Sequence, residues 1–282
     1  MAELVGVYAA SHAPLIARDW HRLPDPLKER LSAGYDELGR RLAASKAETI
    51  VALTPDHWTN FFLDNLPALC IGIGEEHGGP PEPFMRDFKP NPLPGDASLG
   101  RHILETALAD GFEPALSYRL RLDHGLCLPL SRLGLASMPR IVPVLINSLE
   151  PPMLSFRRCF DWGRLLRRAI ASHDAPTRVA ILATGGLSHS IGEPSMGAID
   201  EAFDRRSIEA LRRGEEAPMI ELLERDTARA GNGSHEIRNW IVAHAAAGSQ
   251  GFELVDYLPA PEVYVGSAWA AWRVLPAASQ GI

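Results

Sequence analysis

Hydrophobic residues concentrate in short runs that are bounded by turn-forming or charged residues. Strands that are apolar throughout, rather than alternating with polar residues, are typical of a sheet that is covered on both faces. The runs that predict such strands are "LVGVYAA" (4–10), "TIVALTP" (49–55), "ALCIGIG" (68–74), "RIVPVLIN" (140–147), "RVAILATGG" (178–186) and "EVYVGSAWAAW" (262–272).

Amphipathic patterns with a helical period occupy the intervals between these runs. They predict helices over 26–44, 99–109, 162–172, 198–213 and 234–247. Apolar strands alternating with amphipathic helices predict an α/β fold, a single three-layer domain with a central, mixed and mostly buried sheet flanked by helices. No repeat or low-complexity linker divides the chain, so residues 1–282 are assigned to one domain.

One long segment departs from this alternation. The stretch "GEEHGGPPEPFMRDFKPNPLPGD" (74–96) is rich in proline and glycine and contains two phenylalanines. Loops of this length in a compact domain are usually functional covers or oligomer contacts, although a tolerated surface excursion is an equal alternative. The sequence leaves both interpretations open.

Composition excludes several classes of partner. The chain of 282 residues has a net charge of -7, whereas nucleic-acid binding needs clustered Lys and Arg. Its three cysteines, Cys70, Cys127 and Cys159, are far apart, which favours a reducing cytoplasm over a disulfide framework. The N-terminus does not resemble a signal peptide, and no stretch approaches the roughly 20 apolar residues that span a membrane.

Three histidines directly follow predicted strands. His12 lies in "YAASHAP", His57 in "LTPDHW" and His189 in "LATGGLSH". The loops beyond the carboxyl ends of parallel strands form the ligand crevice of an open α/β sheet, so these imidazoles can converge there. Any one of them alone is more typical of a loop residue bonded to backbone, but three together favour a site.

A fourth histidine has an acidic neighbour. In "RLDHGLCLPL", Asp123 precedes His124, and a carboxylate near the ring would orient an imidazole and raise its basicity. Asp123 is equally suited to cap the helix that the following leucines predict, and both roles are compatible.

The stretch "GNGSHEIRNWIVAHAA" supplies a carboxylate, Glu236, in the first turn of a predicted helix. Ser234 is the expected N-cap of that helix. His244 falls on the apolar stripe of the same helix, so we expect it to be a core histidine.

Three familiar motifs fail on a single residue each. "HEIRN" has Asn239 where a zincin needs its second histidine, and "GLSHS" has Ser190 where a nucleophile elbow needs glycine. Ser188 is therefore expected to be a hydrogen-bonding loop residue. "GIGEEH" lacks the third glycine of a dinucleotide-binding loop.

If His12, His57 and Glu236 meet, they form a ligand set of two imidazoles and one carboxylate. That set holds Fe(II) in non-heme oxygenases, and the same ligand types hold catalytic zinc. Ligand type alone does not separate these metals, and no thiolate lies in the candidate stretches to indicate a structural zinc site.

The motifs together resemble a known superfamily. "SHAP", "TPDHWTNFF", "LDHG", "GGLSH" and "SHEIRNW" are similar, in that order, to the signatures of the class III extradiol ring-cleavage dioxygenases, the superfamily of the protocatechuate 4,5-dioxygenase catalytic subunit. Within this superfamily, the sequence is most similar to the 2,3-dihydroxyphenylpropionate 1,2-dioxygenase branch. The similarity extends through nearly the whole chain.

The resemblance implies Fe(II)-dependent meta cleavage of a substituted catechol, with both atoms of dioxygen inserted. The implied iron ligands are His12, His57 and Glu236. The implied acid–base residues are His124 and His189, with Asp123 beside the first, and the division of work between these two histidines is left open.

Two departures from the superfamily concern the pocket. Ser190 and Ile191 follow "GGLSH" where the relatives tend to carry Gln-Pro, and the helical stretch before Gly233 is shorter. By analogy with single-subunit members, we expect the chain to self-associate as a homo-oligomer.

Two hypotheses compete with this interpretation: a zinc hydrolase and a non-catalytic binding protein, each on the same scaffold. All five candidate histidine and glutamate positions are intact, which counts against the binding protein.

Overall fold

The computed structural model describes residues 1–274, in which a large mixed sheet is covered on both faces by helices. The strands are β1 (Glu3–Ala10), β2 (Thr49–Thr54), β3 (Leu69–Gly72), β4 (Glu76–His77), β5 (Leu93–Pro94), β6 (Ala115–Ser117), β7 (Arg140–Ile146), β8 (Arg178–Thr184), β9 (Phe252–Ala260) and β10 (Val265–Trp272). The helices are α1 (Leu15–Arg18), α2 (Asp25–Ser45), α3 (Ala97–Ala109), α4 (His124–Arg132), α5 (Phe156–Ser172), α6 (Glu201–Arg213), α7 (Glu216–Asp226) and α8 (Ile237–Ala246).

The eight-stranded sheet has the order β6-β3-β7-β2-β8-β1-β10-β9. Its centre is parallel, because β2 pairs in parallel with β7 and β8, and β8 with β1. Antiparallel pairs join β3 to β7, β10 to β1 and β9 to β10. The carboxyl ends of the central strands therefore lie at one edge, with Ala10 level with Thr184 and Leu53 level with Ala183.

Alternate residues of the central strands serve two separate cores. In β2, Val51 and Leu53 pack with α3, α5 and α8 on one face. Ile50 and Ala52 pack with α2 and α4 on the other face. Both faces are buried, which explains why these strands carry almost no polar residues. The predicted fold class, a three-layer α/β domain with a mixed sheet, is confirmed.

Several boundaries differ from those predicted. α5 begins six residues earlier than expected, at Phe156, because the Ser155 side chain accepts a hydrogen bond from the Arg158 amide and caps it. α6 begins at Glu201 rather than 198, after Asp200 caps the Phe203 amide. The sequence missed α7 and β9, and β9 is a half-exposed edge strand without an apolar run.

The proline-rich segment 74–96 is ordered against the domain. β4 and β5 pair within it as a short ribbon, and Met85 and Phe88 are buried in the core beside α4. Within residues 1–274, no helix combines the length and apolar character that a membrane crossing requires.

Candidate metal centre and active site

The loops that follow β1, β2 and β8 bring His12, His57 and His189 together at the carboxyl edge of the sheet. His12 and His57 meet edge to face with ring centroids 4.9 Å apart. All three line one cavity of about 460 Å³, together with His124 and Glu236. The five positions singled out in the sequence therefore occupy one site.

Two imidazoles of this site share one carboxylate oxygen. Nε2 of His12 and Nε2 of His57 each lie 3.3 Å from Oε1 of Glu236. Ligand atoms bound to one metal at about 2.0–2.2 Å lie roughly 3.0–3.5 Å apart, and each of these two nitrogen–oxygen separations falls in that range. Glu236 is 1% exposed, and a buried carboxylate requires such compensation.

The backbone around Glu236 restricts where its carboxylate can lie. The Gly186 amide donates to its Oε2 at 2.9 Å. Gly185 has φ +134°, and a Cβ there would lie 2.8 Å from Cβ of Glu236, so only glycine permits this approach. Burial raises the pKa of Glu236, but the His12 and His189 rings and hydrogen bonds outweigh it and hold that pKa well below its ordinary value.

The backbone before Glu236 differs from the helix expected at 234. Residues Asn232–Glu236 form a 3-10 turn, and α8 begins only at Ile237. The expectation that Ser234 caps this helix is therefore wrong. Its hydroxyl instead donates to the Ala230 carbonyl at 2.8 Å and accepts from the His189 amide at 3.3 Å.

Asp123 orients His57. Its Oδ1 lies 3.2 Å from Nδ1 of His57, and its Oδ2 accepts the His57 backbone amide at 2.8 Å. Burial lowers the pKa of His57, but the charges and hydrogen bonds of Asp123 and Glu236 outweigh it and raise that pKa to about 10. Asp123 also caps α4 by accepting the Gly125 amide, as the sequence predicts.

His124 has a different acidic partner from the one that its sequence neighbour suggests. Oε1 of Glu82 lies 2.6 Å from Nδ1 of His124 and accepts its backbone amide at 3.0 Å. The His124 ring stacks on His57 with centroids 4.2 Å apart. Glu82 comes from the segment 74–96, and no local pattern could indicate this contact because 42 residues separate the pair.

Three histidine rings also lie close enough together to be considered as a metal site. Nitrogens of His12, His57 and His124 all lie within 4.8 Å of one another. This set carries no negative charge to offset a buried dication. A set that includes Glu236 supplies that charge, and on this ground it fits a divalent metal better.

His189 is held with one ring nitrogen directed at the metal-binding residues. Its Nδ1 donates to the Leu187 carbonyl at 3.0 Å, which leaves Nε2 without a hydrogen, 3.8 Å from Oε2 of Glu236. Burial lowers the pKa of His189, although Glu236 acts in the opposite direction. A buried, neutral imidazole with a free lone pair is suited to accept a proton.

Ser188 and His244 have the structural roles expected from the sequence. The Ser188 hydroxyl is fully buried and donates to Oδ2 of Asp204 at 2.8 Å. It also accepts the Asp200 amide at 2.9 Å, so it is not aimed at the cavity. His244 lies in the core, where Nδ1 accepts the Trp272 indole at 2.9 Å.

Residues 6–266 match the family described as the catalytic LigB subunit of aromatic ring-opening dioxygenase. The chain belongs to this family. The resemblance inferred from the five motifs is thereby confirmed, and the match covers β2, β7 and β8 in full and β1 from residue 6.

Several relatives that align with this chain over most of their length are named for the same activity. Three called 2,3-dihydroxyphenylpropionate/2,3-dihydroxicinnamic acid 1,2-dioxygenase come from Paraburkholderia phymatum, Mycolicibacterium gilvum and Klebsiella pneumoniae, at 31%, 30% and 29% identity. The alignments cover 91%, 94% and 92% of this chain and 93%, 96% and 96% of theirs. The crystal structure of an uncharacterized protein from Escherichia coli K12 has the same fold, with a TM-score of 0.63 at 14% identity over 95% of this chain and 100% of that one.

Proposed function

We propose that the protein is an Fe(II)-dependent extradiol dioxygenase that opens the ring of a substituted catechol and inserts both atoms of dioxygen. The observation that carries this proposal is the convergence of His12 and His57, each 3.3 Å from one oxygen of Glu236, at the base of a cavity in a ring-opening dioxygenase family member. Two imidazoles and a carboxylate leave coordination positions for substrate and dioxygen.

The groups behind this donor set are suited to hold a metal. Asp123 fixes the His57 ring with Nε2 toward Glu236, as carboxylates do behind metal-bound histidines. When bound here, ferrous iron supplies a Lewis acid for the two catechol oxygens and a redox path between the ring and dioxygen.

The remaining histidines handle protons. His189 accepts a proton through Nε2 because Nδ1 is already bound to the Leu187 carbonyl. The His124 ring stacks on His57 and lines the cavity, and because its Nδ1 is held by Glu82, its other ring nitrogen is the one free to act on a ligand. We assign His189 to acid–base work on the oxygenated ring and His124 to deprotonation of the substrate or orientation of oxygen.

Anaerobic reconstitution tests the proposal. Purified protein is loaded with Fe(II) under argon, and air-saturated buffer with a panel of substituted catechols is then added. We expect a yellow ring-fission product with one dioxygen consumed per catechol. Protein loaded with Zn(II) serves as the matched control and should consume no oxygen.

Two outcomes would contradict the proposal. Hydrolytic turnover by the zinc-loaded protein in strictly anaerobic buffer would support a hydrolase that uses the same ligands. Absence of both product and oxygen uptake across the panel would support a binding protein. The cytoplasmic location and the homo-oligomeric state expected from the sequence stay predictions.

A further inference from the structure

The outer part of the cavity has an apolar wall that the catalytic chemistry does not use. Its inner residues, Leu15, Val263 and Val265, are buried. At the mouth, four large apolar side chains are 39–49% exposed, although exposure of such groups to water is unfavourable. They are Trp58, Ile191, Met196 and Tyr264.

Polar groups near this mouth are already engaged by the protein. Asn232 donates to the Ile191 carbonyl at 2.9 Å and accepts the Ile191 amide at 2.8 Å, so both ends of its amide hold Ile191 in place. The Ser190 hydroxyl is buried and accepts from Ser195 at 2.9 Å. Both polar side chains are therefore engaged in hydrogen bonds within the protein.

Charge at the mouth does not favour an anionic ligand. Among the described residues that line the cavity, Arg18 is the one arginine or lysine, and Nε and Nη2 of Arg18 both donate to Oδ2 of Asp19, at 3.0 and 2.7 Å. The other charged residue of the mouth is the exposed carboxylate Glu150. A carboxylate entering here would meet one acidic group and compete with Asp19 for the guanidinium.

We infer that the substrate is a catechol whose ring substituent, next to the hydroxyls, is uncharged and apolar, such as an alkyl or aryl group. This inference rests on the proposed function, because the catechol must bind at the metal ligands for its substituent to reach the wall. It separates this chain from the relatives named above, whose named substrates end in a carboxylate. The two residues that depart from the superfamily, Ser190 and Ile191, lie at this wall.

A matched pair of substrates provides the first test. 3-Propylcatechol and 2,3-dihydroxyphenylpropionate have side chains of similar length and differ in the terminal carboxylate. We expect kcat/KM of the Fe(II)-loaded enzyme to be at least tenfold higher for 3-propylcatechol. Equal values or a preference for the propionate would overturn the inference. Failure of both substrates and of unsubstituted catechol to consume oxygen would instead overturn the proposed function.

Charge placed at the mouth provides the second test. Met196→Lys adds a cation to the wall and should raise kcat/KM for the propionate at least fivefold relative to 3-propylcatechol, with the gain lost at high salt. Leu108→Lys is the matched control, because Leu108 is 55% exposed on α3, away from the cavity. We expect no change in substrate preference for that variant, and an equal gain from both variants would contradict the inference.

Arg18→Gln tests the opposite view, in which the guanidinium already recognises a carboxylate. That view predicts a tenfold or larger rise in KM for the propionate and none for 3-propylcatechol. Such a result would overturn the inference. We expect instead that both KM values change by the same factor.

Discussion

Glu236 and His189 lie 3.8 Å apart, yet the structure gives them separable tasks. Oε1 of Glu236 is shared by two imidazoles, whereas the His189 ring is held by the Leu187 backbone carbonyl through Nδ1. We expect Glu236→Ala to lose bound iron, and His189→Ala to retain iron with kcat lowered by about 10²–10⁴-fold. Metal analysis of the purified variants beside oxygen uptake distinguishes these outcomes. An iron-free His189→Ala protein would contradict the assignment.

Asp123 offers a second residue-level prediction. Its Oδ1 lies 3.2 Å from Nδ1 of His57, and an amide in its place would hold that ring less firmly and with less negative charge. We expect Asp123→Asn to weaken Fe(II) binding by roughly 10–100-fold. A competition titration with a metal-binding dye measures this. Glu82→Gln, which acts on His124 instead, should leave the iron affinity unchanged and alter turnover.

The sequence predicted the identity of these side chains better than their pairing. His12, His57 and His189 each follow a buried strand, and parallel strands align their carboxyl ends, so their convergence followed from the pattern. Asp123 was expected near His124 because the two are adjacent, and its carboxylate does lie within 4.8 Å of a His124 ring nitrogen, but its hydrogen bonds go to His57. Glu82 could not be found, since its contact with His124 depends on how the segment 74–96 folds back.

At the scale of elements, the 3-10 turn before α8 packs directly on the catalytic loop after β8. A Cβ added to Gly233 would lie 2.1 Å from Nε2 of His189. We expect Gly233→Ala to displace this ring and lower kcat about 10²-fold while iron stays bound. Gly78→Ala is the matched control, because its Cβ would meet only ordinary contacts at 3.7 Å. Unchanged kcat in Gly233→Ala would show that the ring position is not critical.

Asp204 of α6 links that helix to the same loop. Burial raises the pKa of this carboxyl to about 6, although hydrogen bonds from Tyr257 and Ser188 lower it. Since the folded-state pKa exceeds the ordinary value of 3.8, this group stabilises the fold below pH 4, and that contribution is lost as the pH rises through 6.

Asp204→Asn, which does not titrate, tests this dependence. Relative to the wild type, we expect the free energy of unfolding of the variant to rise between pH 4 and pH 7 by on the order of 3 kcal/mol. Urea unfolding at several pH values measures it. Tyr257→Phe removes a hydrogen bond that lowers the pKa of Asp204. The pKa of Asp204 should therefore be higher in this variant, and the pH-dependent fall in its free energy of unfolding should occur at a higher pH. A difference between wild type and Asp204→Asn that is constant with pH would refute the assignment.

The sequence predicted helices and strands correctly where one face or both faces of the element were apolar. The predictions failed elsewhere. The central strands β2, β7 and β8 were predictable because both faces are buried. β9 was not, since Glu253 and Asp256 interrupt it at an exposed edge, where pairing with β10 supplies the stability. The start of α8 was misplaced by three residues because Ser234 serves the His189 loop instead of the helix.

For the whole molecule, one bound ion would join the loops after β1 and β2 to the amino end of α8. We expect Fe(II) at about 100 times its dissociation constant to stabilise the fold by about 2.7 kcal/mol. For a domain of this size, the midpoint of thermal unfolding should rise by about 5 °C. Calorimetry under argon with and without Fe(II) checks this, and Glu236→Ala should show no shift. A shift of equal size in that variant would place the ion elsewhere.

His12 and Glu236, whose side chains share the candidate metal centre, stand 224 residues apart in the chain. A ribosome adding roughly 5–20 residues per second needs about 11–45 s to reach the second after the first, so the nascent chain spends that time with only part of its donor set. Under the proposed function, the full donor set for iron is available only once synthesis has passed α8, so capture of the ion by all three side chains follows nearly the whole of chain synthesis.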